Sequence, residues 1–479
     1  MYNARLNQWA QARHQELFMS SRQFSQLKLK PALLENLKRL SFDEMTPIQS
    51  EALPKVLSGK DVIGQAKTGS GKTAVFGLAL LNDLDVSLLA IQSLILCPTR
   101  ELADQVANSI RQLATAIPNV KIITLCGGVP SRNQAASLEH GAHIVIGTPG
   151  RVFDHLERGN LLLDELNHFV LDEADRMLDM GFQDQLDEII QRVPNHRQTL
   201  LFSATYPKTI AAMADRVMRA PVMVKVKGNN DSDISQHFYK VSDNQERIDG
   251  IKLLLLSQRP ESALVFCNTK ADCKEVAVGL LDKGFHVKAL HGDLEQKDRD
   301  QRLIQFANKS TSVLVATDVA ARGLDIDALD MVINYHIASD CEVHVHRIGR
   351  TGRAGNQGSA HSFFANKESH KVKRLSDYLK QDIEAESLPP KSFLRQPGYE
   401  PPMMTLRISG GKKQKLRAGD ILGALTGKQG IEGKQVGKIN LFDHCAYVAV
   451  AREAAEKALN KLRNDKIKSK TFKIWLIKD

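Results

Sequence analysis

Between residues 53 and 226 the chain repeats one pattern. A short apolar run that does not alternate with polar residues is followed by an amphipathic stretch, at 62–63, 94–97, 122–125, 144–146, 169–171 and 200–202. A run without alternation suits a strand buried on both faces, as in a parallel sheet covered by helices. Candidate functional residues sit where these runs end, at the carboxyl edge where such sheets bind ligands. Residues 227–232 are polar and turn-rich and read as a linker. The rhythm then resumes at 263–266, 286–290, 313–315 and 331–333, predicting a second α/β domain of similar size. A proline-bearing stretch, 388–402, reads as the next linker. Beyond it the pattern is strand 405–409, helix 418–425, strands 436–441 and 445–450, helix 451–462 and strand 471–477. That βαββαβ order is the order of an RNA-recognition fold. The predicted divisions are a tail 1–23, domains 24–226 and 233–380, and a module 403–479.

Two segments carry the chemistry. Ala66-Lys67-Thr68-Gly69-Ser70-Gly71-Lys72-Thr73 is a phosphate cradle. Its glycines let backbone N–H groups approach phosphate oxygens, Lys72 supplies a point charge, and the Thr73 hydroxyl can hold Mg²⁺. Asp172-Glu173-Ala174-Asp175 follows the apolar run 169–171. An acid at the end of a buried strand suits a phosphate-bound Mg²⁺, and its neighbour can orient the attacking water. The pair predicts nucleoside triphosphate hydrolysis with ATP and Mg²⁺. Gln49 presents one donor and one acceptor, which matches the N6/N7 edge of adenine.

Charge shows what the hydrolysis serves. The chain of 479 residues carries a net charge of +10, and residues 403–479 hold 17 Lys and Arg against 7 Asp and Glu. Residues 1–402 then hold 48 of each, so all the excess lies in the last 77 residues, the footprint of a polyanion-binding module on a balanced engine. No apolar run approaches the ~20 residues of a membrane span, and the N-terminus lacks a signal-peptide core. Six scattered cysteines with no CxxC pair predict reduced thiols and a cytoplasmic protein.

Residues 24–358 resemble a DEAD-box ATP-dependent RNA helicase, with the motifs in that family's order. The markers are Phe24, Thr46-Pro47-Ile48-Gln49, the loop 66–73, Pro98-Thr99-Arg100-Glu101-Leu102, Gly127-Gly128, Thr148-Pro149-Gly150-Arg151, 172–175 and Ser203-Ala204-Thr205. Val265-Phe266-Cys267-Asn268, Gln296 with Arg299, Ala316-Thr317-Asp318, Arg322-Gly323-Leu324-Asp325 and His346-Arg347-Ile348-Gly349-Arg350-Thr351-Gly352-Arg353 complete the set. Ala66 at the first loop position is what this family shows. The module, through 419–425 and the glycine- and lysine-rich loop after it, resembles the ribosomal-RNA-binding module of a bacterial member.

The resemblance implies two RecA-like domains in tandem plus a small α+β RNA-recognition-type domain. It implies Phe24 as a stacking lid on the base, which as a lone phenylalanine also reads as core. Asp325 would hold the ribose, and Arg350 and Arg353 would be arginine fingers. Arg347, Arg350 and Arg353 also read as a basic helix end that binds nucleic acid. Asp175, Ser203, Thr205 and His346 would couple phosphate state to domain closure. Thr99, Arg100, Gly127, Gly128, Thr148, Gly150 and Arg151, with Asn268, Arg299, Thr317, Asp318 and Arg322, would meet RNA phosphates and 2′-hydroxyls without reading bases.

Sequence choice then falls to Lys412, Lys413, Lys415 and Arg417. Stacking on the module's sheet is disfavoured, because its third strand has one aromatic, Tyr447. Phe472, Ile474 and Leu476 share a core face. Trp475 faces the other way, toward RNA or half-buried. The implied partner is large-subunit (23S) ribosomal RNA in pre-50S particles, with the protein acting as a monomer. An ATP-gated RNA clamp and a non-enzymatic RNA-binding protein are the alternative classes. The motif-free tail reads as dispensable, with Met1 or Met19 as the start.

Overall fold

The computed structural model describes residues 22–66, 69–226, 234–321, 329–352 and 358–477. The tail through residue 21, the predicted linker 227–232, and the site residues Lys67, Thr68, Arg322, Asp325 and Arg353 lie outside the described residues. Described residues up to 226 form one compact unit and those from 234 onward form the other.

The first unit is built on seven strands: β1 Val62–Gln65, β2 Ser93–Leu96, β3 Ile122–Leu125, β4 Ile144–Gly147, β5 His168–Asp172, β6 Gln198–Ser203 and β7 Val222–Lys225. All pair in parallel, in the order β3-β4-β2-β5-β6-β1-β7. Period-2 geometry explains the unalternated runs. Val62, Ile95, Ile144, Val170 and Leu200 enter the core on one face, while Ile63, Leu94, Val145, Phe169 and Leu201 enter the core on the other. Each such side chain contributes about 1.5–3 kcal/mol on burial. Helix Arg100–Leu113 shows how the cover forms. Leu102, Ala103, Val106, Ala107, Ile110 and Leu113 recur at helical spacing and are buried, and the Thr99 hydroxyl caps the start by accepting from Leu102 N at 3.3 Å.

The second unit holds β8 Ile234–Lys240, β9 Ala263–Cys267, β10 Val287–Leu290, β11 Val313–Thr317, β12 Met331–Asn334 and β13 Gly358–Phe364. They form a parallel sheet in the order β10-β11-β9-β12-β13-β8. The apolar-run pattern omits β8 and β13. β8 is an edge strand with polar residues among its apolar ones, and β13 buries His361 and Ser362. The same unit contains a four-stranded antiparallel sheet from β14 Met403–Ile408, β15 Val436–Leu441, β16 Ala446–Ala451 and β17 Ile474–Leu476, in the order β15-β16-β14-β17. Helices Ala418–Thr426 and Ala455–Asn464 pack on one face of it.

Residues 388–402 correct the expectation of a loose linker. Leu388, Phe393 and Tyr399 pack against the core of the second parallel sheet. The Tyr399 hydroxyl donates to Pro260 O at 2.7 Å, its ring meets Phe285 edge-on, and Lys283 Nζ donates to Leu394 O. The C-terminal module is seated on the same domain. Thr405 of β14 is fully buried, with its Oγ1 2.7 Å from Ser310 Oγ and accepting from Asn308 Nδ2 at 3.2 Å. These partners are polar and far apart in sequence, so hydrophobic periodicity carries no trace of them.

Candidate nucleotide and RNA site

The strand order β5-β6-β1 brings three loops together at one carboxyl edge. Asp172 pairs in register with Phe202, and Gln65 with Ser203. The phosphate loop after β1, the acid pair after β5 and Ser203-Ala204-Thr205 after β6 therefore lie side by side. Gly69 and Gly71 have φ of 80° and 93°, a region costly for residues with a Cβ. Gly71 also has a neighbour: a Cβ there would sit 2.5 Å from Gln49 Nε2. Gln49 donates to Gly71 O at 3.1 Å and accepts from Thr46 N at 2.9 Å, while Thr46 Oγ1 donates to Ser70 O at 2.8 Å. Gln49, expected at the adenine edge, is buried with its amide engaged by the protein, where it braces the phosphate loop. Phe24, expected as a stacking lid, is a core side chain, 4 % exposed, with its ring edge-on to Phe42 at 6.1 Å.

Lys72 opens helix Lys72–Asp83, buried, with its ammonium on Ala66 O at 2.9 Å. The Ala66 N–H donates to Ser203 O at 3.1 Å. Thr73 follows on the same turn, half-buried. Asp172 is buried, and its Oδ1 has no hydrogen-bond partner among the described residues. Burial pushes this carboxyl up to about 7, against the attraction of Lys72. A buried carboxylate oxygen without a partner, close enough to Lys72 to feel its charge, fits a divalent cation carried by a phosphate chain. Among the described residues no cluster of three or more His, Cys, Asp or Glu could hold a metal without such help.

Glu173 is buried and held at φ 53°, a strained conformation for a residue with a Cβ. Asp175 Oδ2 accepts from Thr205 N at 3.0 Å and from Thr205 Oγ1 at 2.9 Å. Burial raises this acid, but those bonds outweigh it and hold it below the usual carboxylate range. Asp175 and Thr205 thus tie the loop after β5 to the loop after β6, with Ser203 fully buried at the end of β6.

The remaining first-unit residues lie after β2, β3 and β4. Thr99 is buried as a helix cap, and Arg100 lies 3.8 Å from Asp104. Gly128 has φ of 75°, and a Cβ on Gly127 or Gly150 would meet nothing within 4 Å. Thr148 is half-buried at the start of helix Pro149–Glu157. Arg151 is engaged within the protein, on Val129 O and Gln134 Oε1, both at 2.8 Å. Gln134 was missed in the sequence, since a glutamine on a polar helix gives no signal.

In the second unit, neighbouring strands β11, β9 and β12 collect a different cluster around Arg347. Its guanidinium donates to Asp318 Oδ1 at 2.7 Å and Oδ2 at 2.6 Å, to Asn268 Oδ1 at 2.8 Å, to Asn334 Oδ1 at 3.2 Å and to His336 O at 3.1 Å. It lies 5.3 Å from the Phe266 ring centroid and is buried. Of the three arginines in the motif, Arg347 is therefore spent on the protein. Arg350 is buried, His346 half-buried and Thr317 buried at the end of β11. Arg299 donates to Ala320 O at 2.9 Å. In the module, Lys412, Lys413 and Lys415 lie in the turn between β14 and the first helix, and the Arg417 amide donates to Asp420 Oδ2 at 2.9 Å at that helix start. Lys468 Nζ donates to Lys415 O at 2.9 Å. Tyr447 is buried, whereas Trp475 is 42 % exposed with the Arg407 guanidinium 5.6 Å from its ring centroid.

Three family models match successive parts of the chain. Residues 46–213 match the DEAD/DEAH box helicase family, 246–355 the helicase conserved C-terminal domain, and 405–476 the DbpA RNA binding domain. The chain is 52% identical over 451 residues to the ATP-dependent RNA helicase DbpA of Escherichia coli K12, covering 94% of this chain and 98% of that protein. It is 42% identical over 363 residues to the DEAD-box ATP-dependent RNA helicase CshA of Geobacillus kaustophilus, 75% of this chain and 77% of that one. Among solved structures, Saccharomyces cerevisiae Dbp5 bound to RNA and ADP BeF3 is similar, with TM-score 0.70 and 30% identity over 78% of this chain and 99% of that one.

Proposed function

The chain belongs to the DEAD-box ATP-dependent RNA helicases, and we propose that it uses ATP to open short duplexes in large-subunit (23S) ribosomal RNA, in the cytoplasm, during assembly of pre-50S particles. As a member of that family it is an RNA-dependent ATPase. Lys72 would leave Ala66 O for the β- and γ-phosphates, within the backbone cradle of residues 66–73. Mg²⁺, when bound, would supply positive charge that offsets the negative charge of the phosphates. Thr73 and Asp172 are the residues that would hold it, and a nearby cation would draw the raised Asp172 carboxyl down into its charged form. Glu173 would take the proton of the attacking water. Asp175, Thr205 and Ser203 would relay the state of that edge, with His346 as their counterpart. Arg350 and Arg353 would spread charge in the transition state, and Asp325 would hold the ribose. Turnover then needs both domains at one nucleotide. Thr99, Gly128, Thr148, Gly150, Thr317 and Arg299 would line a sequence-blind RNA path.

The observation that carries the catalytic reading is the partnerless buried oxygen of Asp172 beside Lys72. The address rests on the module, whose excess of positive charge and match at 405–476 favour RNA. Lys412, Lys413, Lys415 and Arg417 would supply its phosphate contacts, and the protein would act as a monomer. The test is ATPase activity of the full chain against equal-length RNA fragments at two salt concentrations. One large-subunit fragment should half-saturate at the lowest concentration, with that preference weakening as salt rises. Equal half-saturation by ribosomal and unrelated fragments would remove the ribosomal address.

A further inference from the structure

We infer that Gln134 is a positioning residue for RNA engagement: one buried amide sets the Gly127-Gly128 turn and the Thr148–Arg151 helix start against each other. This rests on the reading above that these two segments meet RNA. Gln134 sits on helix Ser131–Glu139 and is buried. Its Nε2 donates to Cys126 O at 2.9 Å, at the residue before Gly127. Its Oε1 accepts from Arg151 Nη1 at 2.8 Å and lies 3.1 Å from His155 Nε2. His155 is fully buried, and its Nδ1 faces Asn160 Nδ2 at 3.3 Å, so Nε2 carries the proton and donates to the amide. Arg151 also donates to Val129 O. Cys126 and Val129 bracket Gly127-Gly128, so the amide and the guanidinium clasp both ends of that turn.

The segment held this way has room beside it. Added Cβ atoms on Gly127 and Gly150 would meet nothing within 4 Å, so internal packing does not demand glycine at either place. β3 and β4 are already joined in parallel register from Ile122↔Ile144 to Leu125↔Gly147, so the sheet does not need the amide to stay closed. What the amide adds is the relative placement of two backbone segments beyond the strand ends. Misplacing them by a fraction of a bond length weakens contacts with a rigid phosphate backbone while leaving the nucleotide loops on β1, β5 and β6 untouched.

The test uses the full chain with Gln134→Leu, Gln134→Glu, Arg151→Leu, Gln134→Leu with Arg151→Leu, and Gly150→Glu. For each, the RNA concentration for half-maximal ATPase, the KM for ATP and the thermal midpoint are measured. Gln134→Leu should raise the RNA half-saturation about tenfold with the KM for ATP unchanged. Gln134→Glu keeps the acceptor for Arg151 and His155 but faces Cys126 O with an acceptor, so it should fall between wild type and Leu. The double variant should be no worse than the worse single, because both changes undo one clasp. A lowered thermal midpoint with unchanged RNA half-saturation in both Gln134 variants would overturn the inference. Gly150→Glu separates the two readings. If it weakens RNA use while the Gln134 variants do not, only the positioning role fails. If it has no effect, the RNA-contact reading itself fails.

Discussion

The carboxyl edges of the two parallel sheets carry the same ingredients and treat them in opposite ways. In the first unit Asp172 is buried with a partnerless oxygen, its acid pushed up to about 7, and the nearby Lys72 rests on a backbone carbonyl. In the second unit both carboxylate oxygens of Asp318 are held by one edge of the Arg347 guanidinium, which also reaches Asn268, Asn334 and a main-chain carbonyl. A buried polar group with no partner costs free energy that a ligand can return, whereas a satisfied one has nothing left to offer. The first edge therefore keeps an oxygen open to a ligand, which suits the chemistry proposed for it. The Arg347 cluster is architecture that holds motif segments of the second domain in place.

The largest effect that would break this contrast is on turnover. Glu173→Gln should lower kcat on the order of 10²–10⁴-fold with ATP and RNA still bound, as read by phosphate release. A near-normal kcat would mean that the strained acid next to Asp172 does not activate water. On the opposite side, Arg347→Leu should cost about 3–5 kcal/mol of unfolding free energy in denaturant titration, because it strands Asp318 and Asn334. Unchanged stability would make that cluster a ligand site instead.

Asp172→Asn sharpens the contrast through pH. The folded carboxyl is raised from 3.8 to about 7, so the nucleotide-free native state binds the extra proton. Its stabilising share is complete below the unfolded value and is lost as pH rises through the folded one. The asparagine variant escapes that loss. Its advantage in unfolding free energy over wild type, without nucleotide and read by denaturant titration, should grow from pH 4 to pH 7 toward a ceiling of about 4 kcal/mol. An advantage independent of pH would show that Asp172 is already charged. The smallest effect is expected of Asp318→Asn, which keeps one acceptor for Arg347 but loses the charge and the second acceptor, and should cost about 1.5–3 kcal/mol. A loss as large as that of Arg347→Leu would mean that the charge of Asp318, not the hydrogen-bond geometry, holds the cluster.

The sequence made the strand pattern readable wherever both faces of a strand are apolar, as at 94–97 and 169–171. It hid β8 and β13, where His237, Tyr239, His361 and Ser362 take core or near-core places and His361 meets the Tyr239 hydroxyl at 3.2 Å. Polar side chains pair and stack with one another there, and hydropathy records nothing of it. The same holds for residues 388–402, where prolines suggested a linker but Phe393 and Tyr399 find the core of the second domain. Within the site, residues whose chemistry is local were legible: glycines that need positive φ, a lysine and a threonine opening a helix, an acid ending a strand. Phe24 and Gln49 were legible as members of a motif, whereas the contacts of Phe24 with Phe42 and of Gln49 with Thr46 and Gly71 were not.

What the amino-acid order determined by itself is therefore the repeated βα architecture, the location of the phosphate loop and acid pair, and the charge segregated into the last 77 residues. These follow from period, backbone conformation and count, all properties of neighbours along the chain. Only the tertiary structure decided which polar groups are satisfied. Asp172 and Asp318 both follow an apolar run, and although their neighbours differ, nothing within a few residues of either says which carboxylate finds a partner. The difference comes from Arg347, 29 residues beyond Asp318, which the order of the second sheet brings to it, while the described residues bring no hydrogen-bond donor to Asp172 Oδ1. Desolvation and hydrogen bonding depend on distances in space, and sequence spacing does not specify those distances.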